Sequence, residues 1–207
     1  MQPQVDLKSS KSPRFVIREG IEGDEQGIHE VIAAAFDHHQ GVEDLWTEVV
    51  RCGHDRVSLV AVDGDEVVGH VGVSHAWLDA RRALVDVWML SPLSTRPDRQ
   101  RKGIGTALVA AIAASRDAGV PALFLEGDPR FYGPRGFAAA SDRGFLPPSA
   151  RTPDRAFQVV SFEAHEEWMA GGLVYHDVWW EHDAAGLRDP RLAELEGVLG
   201  RNRTHVR

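Results

Sequence analysis

Two glycines that follow a basic segment have the spacing most suggestive of ligand binding in this sequence. Four of the seven residues in 96–102 are Arg or Lys, and Gly103-Ile104-Gly105 comes next. Apolar residues with helical spacing start at Ile104, so the glycines would lie at a helix N-terminus. The first N–H groups of a helix have no partner inside it, and the helix dipole is positive there. Because glycine leaves this backbone uncovered, the segment predicts a site for a phosphate group.

Several phosphate sites share this layout. A P-loop needs a lysine before its Ser or Thr, whereas Thr106 directly follows Gly105, so that site is excluded. A dinucleotide-binding fingerprint needs a third glycine where Leu108 stands. In its favour, Glu126 lies 21 residues after Gly105, which is the position of the acidic residue that binds the ribose in that fingerprint. The loop over residues 91–102 is also too long for that tight turn. A glycine turn that binds no ligand is a further alternative.

Three carboxylates near predicted strand ends are candidates for acid–base chemistry. Glu126 and Asp128 follow the short apolar run 123–125, and Asp86 interrupts another apolar run. Such positions can perturb the pKa of a carboxyl group. Asp86 is equally compatible with an outward-facing strand position, and Asp128 with a turn or a helix N-cap. We expect Glu126 to be the general base, and a chain of water molecules is the alternative.

Ten histidines raise the question of a metal site, and their spacing argues against one. His70 and His75 are an odd number of residues apart on one predicted strand, so their side chains face opposite sides. His176 and His182 have matching parity, but six residues of strand span roughly 20 Å, too far for one ion. We therefore expect no metal ion.

Strands and helices alternate along the chain, and they must position these residues. The order is one strand, two helices, an antiparallel meander, a strand–helix–strand unit and further strands, which is a mixed α/β class. Strands are predicted over residues 15–18, 57–62, 66–78, 83–90, 123–125, 156–162 and 173–180. Helices are predicted over residues 24–36, 45–53 and 104–119, with a short helix or turn over 129–135 and a last helix over 192–199.

Length and composition indicate one globular domain. The 207 residues are 43% hydrophobic and 26% charged. We expect a disordered lead-in over residues 1–13, the domain over 14–183, and a tail over 184–207 that either completes the domain or forms a homodimer contact. A net charge of −8 argues against nucleic-acid binding. The lone Cys52 excludes a disulfide framework and points to the cytoplasm, and no apolar run is long enough to span a membrane.

Residues 93–108 resemble the acetyl-CoA motif of the GNAT superfamily of N-acetyltransferases. That motif has Gln or Arg, two residues, Gly, one residue and then Gly or Ala, as in the segment from Gln100 to Gly105. Residues 126–137 resemble the short helix and the Gly-Phe pair, here Gly136-Phe137, that begin the family's later strands. The two motifs stand in the family's order, and the predicted elements over residues 15–162 agree with it.

The resemblance implies a fold and a donor. The fold would be a mostly antiparallel, twisted sheet that is splayed at the acyl-CoA site and flanked by helices. The donor would be acetyl-CoA, with its pantetheine arm on one strand end and its diphosphate on the backbone at the helix start. The residues implied are Leu93, Ser94 and Thr95 for pantetheine, and Gln100, Arg101, Lys102, Gly103, Ile104, Gly105 and Thr106 for the diphosphate.

The resemblance also implies the reaction, which is direct attack of a primary amine of a small molecule or peptide on the thioester. Tyr132 stands where many family members place a tyrosine beside the coenzyme sulfur, so it is the expected general acid. Packing beside Phe131 is its alternative role. A longer acyl donor, a non-catalytic acyl-CoA-binding regulatory module and nucleotide-linked redox chemistry are the alternative functions. Residues 175–182, rich in acids and aromatics, are expected either to line the acceptor pocket or to form an edge strand.

Overall fold

The structure, a computed structural model, describes residues 15–36, 41–115, 119–186 and 194. Over these ranges the chain forms a sheet of eight strands with helices on both faces, which confirms the mixed α/β class. The strands are β1 (Val16–Glu19), β2 (Asp55–Asp63), β3 (Glu66–Ala80), β4 (Leu84–Thr95), β5 (Ala122–Glu126), β6 (Ala138–Ala139), β7 (Phe157–Ser161) and β8 (Gly171–Val174). The helices are α1 (Glu25–Ala35), α2 (Val42–Arg51), α3 (Ile104–Ser115), α4 (Pro129–Tyr132) and α5 (Asp177–Glu181).

Two predicted segments fall wholly or mainly outside the described residues. The lead-in over residues 1–13 is one, and the other is the tail beyond residue 186, of which only Glu194 is described. The domain limits of 14–183 therefore stay a prediction. None of the helices in the described ranges is long and apolar enough to cross a membrane.

The sheet is antiparallel except at one pair of strands. Its order is β1-β2-β3-β4-β5-β7-β6, and only β4 and β5 pair in parallel along this path. β8 pairs with β3 beside the end of β2, so two strands share one edge of β3. This agrees with the expectation of a mostly antiparallel sheet.

Each face of the sheet carries its own apolar cluster. Strand side chains alternate between the faces, so Val60 packs with α1 and α2 while Leu59 packs against α3. Gly69 on β3 lets the start of α3 lie close to the sheet. A Cβ at this position would be 2.6 Å from Cγ2 of Ile104 and 3.2 Å from the carbonyl oxygen of Ser94. The glycine therefore helps to set where α3 begins relative to β4.

The predicted strand over residues 173–180 is wrong in its second half. β8 ends at Val174, and α5 covers Asp177–Glu181. Tyr175, Val178 and Trp179 are the buried residues here, and their spacing fits one side of a helix. A short apolar run does not distinguish a strand from a helix by periodicity alone, which explains the error.

Candidate active site

An opening forms where β4 and β5 separate. The two strands pair only at Trp88 with Leu123 and at Met89 with Phe124. Beyond these pairs, β4 continues along β3 while β5 continues along β7. A register shift in β4 between Leu90 and Leu93 marks a bulge at the point of separation. Each strand keeps its outer partner, so a wedge-shaped opening lies between the facing edges of β4 and β5. We call the part beside residues 101–106, at the start of α3, the α3 end. The part beside Glu126 and Gly127, where β5 ends, is the β5 end.

The predicted pantetheine segment lies on β4 beside this opening. Leu93, Ser94 and Thr95 pair with β3 on their other edge. The Ser94 side chain is buried, and its hydroxyl donates to the carbonyl of His70 at 3.4 Å. Because this side chain is directed into the protein, a ligand in the opening would meet mainly the backbone of the segment.

The α3 end has the geometry of an anion site. Arg101 has a φ of 59° and Gly103 a φ of 87°, so the chain turns sharply just before the helix. The N–H of Ala107 donates to the carbonyl of Gly103, which makes this an early hydrogen bond of α3. The N–H groups of residues 104–106 precede it and have no partner within the helix. They can all donate to one anion, as at other helix starts.

Two side chains that the sequence assigned to the ligand, those of Gln100 and Lys102, make contacts with the loop in this structure. Gln100 donates from Nε2 to the carbonyl of Thr95 at 3.4 Å. Lys102 donates from Nζ to the carbonyl of Asp98 at 2.8 Å. The first hydrogen bond joins the loop over residues 96–103 to the end of β4, and the second lies within this loop. The backbone at the helix start is therefore the larger source of donors in this arrangement.

Arg135 adds a cation at the α3 end, and the sequence analysis did not identify it. Its guanidinium donates to the hydroxyl of Thr106 and to the carbonyl of Phe131. It also lies over the Phe131 ring, with Cζ 3.7 Å from the ring centroid. Gly105 faces the same ring, since a Cβ there would be 3.4 Å from Cζ of Phe131. Nothing in the spacing of Arg135 along the chain indicated this position.

Tyr132 lies at the β5 end. Its ring packs against Gly127, where an added Cβ would overlap the ring. Phe131 and Phe137 contact the ring edge-on, at centroid distances of 4.9 and 5.7 Å. Burial raises the pKa of the phenol to about 12, although the charge of Arg135 lowers it in part. The hydroxyl therefore keeps its proton at neutral pH.

Glu126 ends β5 and lies next to Gly127 in the chain, so the fold brings it to the same end of the opening as the Tyr132 ring. The hydroxyl of Tyr175 donates to its Oε1 at 2.8 Å. Burial raises the pKa of Glu126, while hydrogen bonds from Tyr175 and Thr152 and the charge of Arg151 lower it in part. Burial and the neighbouring Glu126 raise the pKa of Tyr175 as well, so this phenol remains a donor.

The other two carboxylates have different roles. Asp128 is the N-cap of α4: its side chain accepts from the N–H of Arg130 and pairs with the guanidinium of the same residue. That pairing lowers the pKa of Asp128, so it is a poor base. Asp86 points outward with 83% of its side chain exposed and accepts from Nε2 of His75. Glu126 is therefore the candidate that combines a place at the opening with a raised pKa.

The residues of the segment over 175–182 contact two separate parts of the protein. Tyr175 reaches Glu126, as a pocket-lining residue would. His176 and the start of α5 lie instead beside His54. The alternative of an edge strand is wrong, because residues 177–181 are helical.

Comparison with known proteins agrees with this architecture. Residues 54–139 match the family model described as an acetyltransferase (GNAT) domain. A GNAT family N-acetyltransferase (YhbS) from Escherichia coli in complex with CoA has a similar structure, with a TM-score of 0.72, 24% identity, and coverage of 81% of this chain and 93% of that one. A GNAT family acetyltransferase from Brucella melitensis in complex with acetyl-CoA has a TM-score of 0.65, 26% identity, and coverage of 81% and 99%. No curated protein matches the sequence.

The matched domain, together with the fold and the opening beside a helix start, assigns this protein to the acyltransferases. Residues 54–139 match the model of a GNAT acetyltransferase domain, and this match confirms the resemblance of the two motifs to that family. The matched range contains the α3 end, Glu126, Tyr132 and Arg135, whereas Tyr175 comes from outside it.

Proposed function

We propose that the protein is an N-acetyltransferase that moves the acetyl group of acetyl-CoA directly to a primary amine in a ternary complex. The observation that carries this proposal is the opening between β4 and β5, which lies beside the N-terminus of α3 inside the GNAT domain. The similar proteins from Escherichia coli and Brucella melitensis are in complex with CoA and acetyl-CoA, respectively. The same donor suits the opening in this chain.

Acetyl-CoA would lie extended along the opening. Its pantetheine arm would pair with the open edge of β4 at Leu93, Ser94 and Thr95, as an added strand does. Its diphosphate would accept hydrogen bonds from the backbone over residues 101–106, where the helix dipole favours an anion. Arg135 would add positive charge there. The acetyl group would then reach the β5 end.

The β5 end suits the proton transfers that amide formation needs. The amine must lose a proton before it attacks, and Glu126 would take that proton directly or through water. Because burial raises the pKa of Glu126, this carboxylate is a stronger base than an exposed one. The nitrogen then attacks the thioester carbon, and the bond from carbon to sulfur breaks. Tyr132, which keeps its proton, would donate a hydrogen bond to the sulfur as negative charge develops there.

The acceptor is proposed to be a cationic primary amine on a small molecule or a peptide. The net charge of −8 supports attraction of such a substrate before it is deprotonated. The cytoplasm, where the exposed thiol of Cys52 would stay reduced, is the proposed setting. A homodimer is a further part of the proposal, and the molar mass of the full chain in solution would test it.

Thermal unfolding of the full chain with different ligands tests the donor. We expect acetyl-CoA to raise the Tm, because a ligand at a hundred times its Kd adds roughly 2.7 kcal/mol to stability. NAD should leave the Tm unchanged. A larger shift with longer acyl-CoAs would favour a longer acyl donor, and protection by NAD but not by acetyl-CoA would contradict the proposal.

Release of free thiol across a panel of primary amines tests the reaction. We expect thiol release with at least one amine, together with an acetylated product seen by mass spectrometry. Tight binding of acetyl-CoA without thiol release from any amine would instead favour a non-catalytic acyl-CoA-binding module.

A further inference from the structure

Three histidines from distant parts of the chain meet beside one edge of β3. β2 pairs with β3 as far as Ser74, and β8 pairs with it from Trp77 onwards, so His75 lies between the two strands. His54 comes just before β2, and its carbonyl accepts from the N–H of His75 at 2.8 Å. His176 follows the end of β8 and stacks on the His54 ring at a centroid distance of 3.6 Å. The way two strands share this edge therefore creates the cluster.

A chain of hydrogen bonds sets the tautomers of two of these rings. Oδ1 of Asp86 lies 2.9 Å from Nε2 of His75, and Nδ1 of His75 lies 2.8 Å from Nε2 of His176. A carboxylate accepts, so Nε2 of His75 donates, and a ring that carries a single proton then accepts at Nδ1. Nε2 of His176 must then donate, which leaves the lone pair of this ring on Nδ1.

Asp177 completes a set of three ligand atoms. One atom each from His54, His176 and Asp177 lie within 4.8 Å of one another. In a tetrahedral zinc site, nitrogen and oxygen ligands at roughly 2.0–2.2 Å from the ion are about 3.4 Å apart. The three side chains would therefore move closer, and the His54 ring would turn out of its stack on His176 so that both lone pairs reach one ion. Asp177 accepts from the N–H of Val178 through Oδ1, which orients its carboxylate at the start of α5.

We propose that His54, His176 and Asp177 bind a Zn²⁺ ion. Two imidazoles and one carboxylate are a ligand set that zinc accepts, with the fourth position left for water. His75 and Asp86 would be positioning residues, because a ligating histidine commonly donates its other N–H to a partner that fixes the ring. Trp77 covers part of the cluster, since its ring lies 4.1 Å from that of His176.

The ion would join parts of the chain that lie far apart in sequence. His54 directly precedes β2, whereas His176 and Asp177 lie at the start of α5. Tyr175, the partner of Glu126, directly precedes His176. Zinc would therefore restrain the segment that carries Tyr175. The binding of zinc itself does not depend on the proposed acetyl transfer, and its test does not use activity.

Zinc binding to the full chain, prepared without a histidine tag and treated with a chelator, tests the proposal. We expect calorimetric titration with ZnCl₂ to give one ion per chain, and Co²⁺ in its place to give the visible absorption of a tetrahedral site. His54→Ala and Asp177→Asn should each remove that binding. His75→Gln should weaken it by roughly 10–100-fold, as loss of a positioning partner does.

His29→Ala is the matched control, because His29 also lies near a carboxylate, 3.7 Å from Asp44, but on α1. It should bind zinc like the wild type. Asp177 is exposed, so Asp177→Asn should fold even if a histidine variant does not, and circular dichroism would verify this. The proposal is wrong if folded wild-type protein retains no zinc. It is equally wrong if folded His54→Ala and Asp177→Asn both bind zinc as the wild type does.

Discussion

The two ends of the opening between β4 and β5 are built from different groups. The α3 end offers mainly backbone N–H groups at a helix start, and the side chains of Gln100 and Lys102 donate to carbonyls of the loop that leads to it. The β5 end offers the side chains of Glu126 and Tyr132, each with a raised pKa. The first arrangement suits the binding of a fixed anion, and the second suits proton transfer. We therefore expect substitutions at the two ends to affect different kinetic constants.

Glu126→Gln should have the largest effect. We expect kcat to fall by roughly 10²–10⁴, because the amide cannot accept the proton of the amine. The Kd of acetyl-CoA should change little. Steady-state kinetics and calorimetry measure the two quantities. Asp128→Asn is the control, since Asn also caps a helix, and it should keep both constants near the wild-type values. Equal losses in the two variants would assign the effect to the loop and not to the carboxylate.

Tyr132→Phe should lower kcat by roughly 10², because the sulfur loses a hydrogen-bond donor, while acetyl-CoA affinity stays nearly constant. Gly127→Ala displaces the same ring without removing its hydroxyl, so it should cause a smaller loss. Rapid-quench measurement of a single turnover would separate chemistry from product release. Unchanged turnover in Tyr132→Phe would remove this residue from the mechanism and leave it a packing role.

Gly105→Val should raise the KM for acetyl-CoA by about tenfold, because the added side chain would crowd the backbone donors at the α3 end. Each hydrogen bond to a charged group contributes roughly 1.5–3 kcal/mol, so the loss of one such bond accounts for this change. The kcat at saturation should change less. Gly172→Val on β8 is the control, since a Cβ there would meet nothing within 4 Å. If Gly105→Val lowered kcat and left KM unchanged, the division between the two ends would be wrong.

Tyr175→Phe should have the smallest effect of the four substitutions, and the expected effect is a shift in the pH dependence of kcat. The hydrogen bond from Tyr175 lowers the pKa of Glu126, so its loss should raise that pKa. Because the active form is the carboxylate, the acidic limb of the pH profile of kcat should move to higher pH. The profile of kcat between mildly acidic and alkaline pH measures this. A shift toward lower pH would show that Glu126 is not the group that limits the rate on the acidic side.

Features that depend on neighbouring residues in the sequence were predicted well. The helix after Gly103 and the hairpin of β2 and β3 follow from periodicity and turn residues, and the structure has both. Glu126 was chosen because it ends a buried strand, and it does end β5. The structure brings Glu126 and Tyr132 to one end of the opening, while their catalytic roles stay predictions.

Other features were missed because they depend on which strands are neighbours. Arg135 reaches Thr106, which is 29 residues away in the chain, and Tyr175 reaches Glu126 across 49 residues. No local pattern marks such a pair, since each residue is an ordinary member of its own segment. The second half of the predicted strand over residues 173–180 was wrong for a related reason: its apolar spacing fits a helix as well, and packing decided between them.

The sequence by itself determined the class of the protein and the helix start that we propose as the donor site, because backbone conformation at a glycine turn and a helix start is a local property. Only the tertiary structure decided which side chains meet. His75 and His176 are 101 residues apart, and their rings come together because β2 and β8 end at the same place on β3. Strand pairing over such distances follows from the packing of the whole sheet, and spacing along the chain does not contain it.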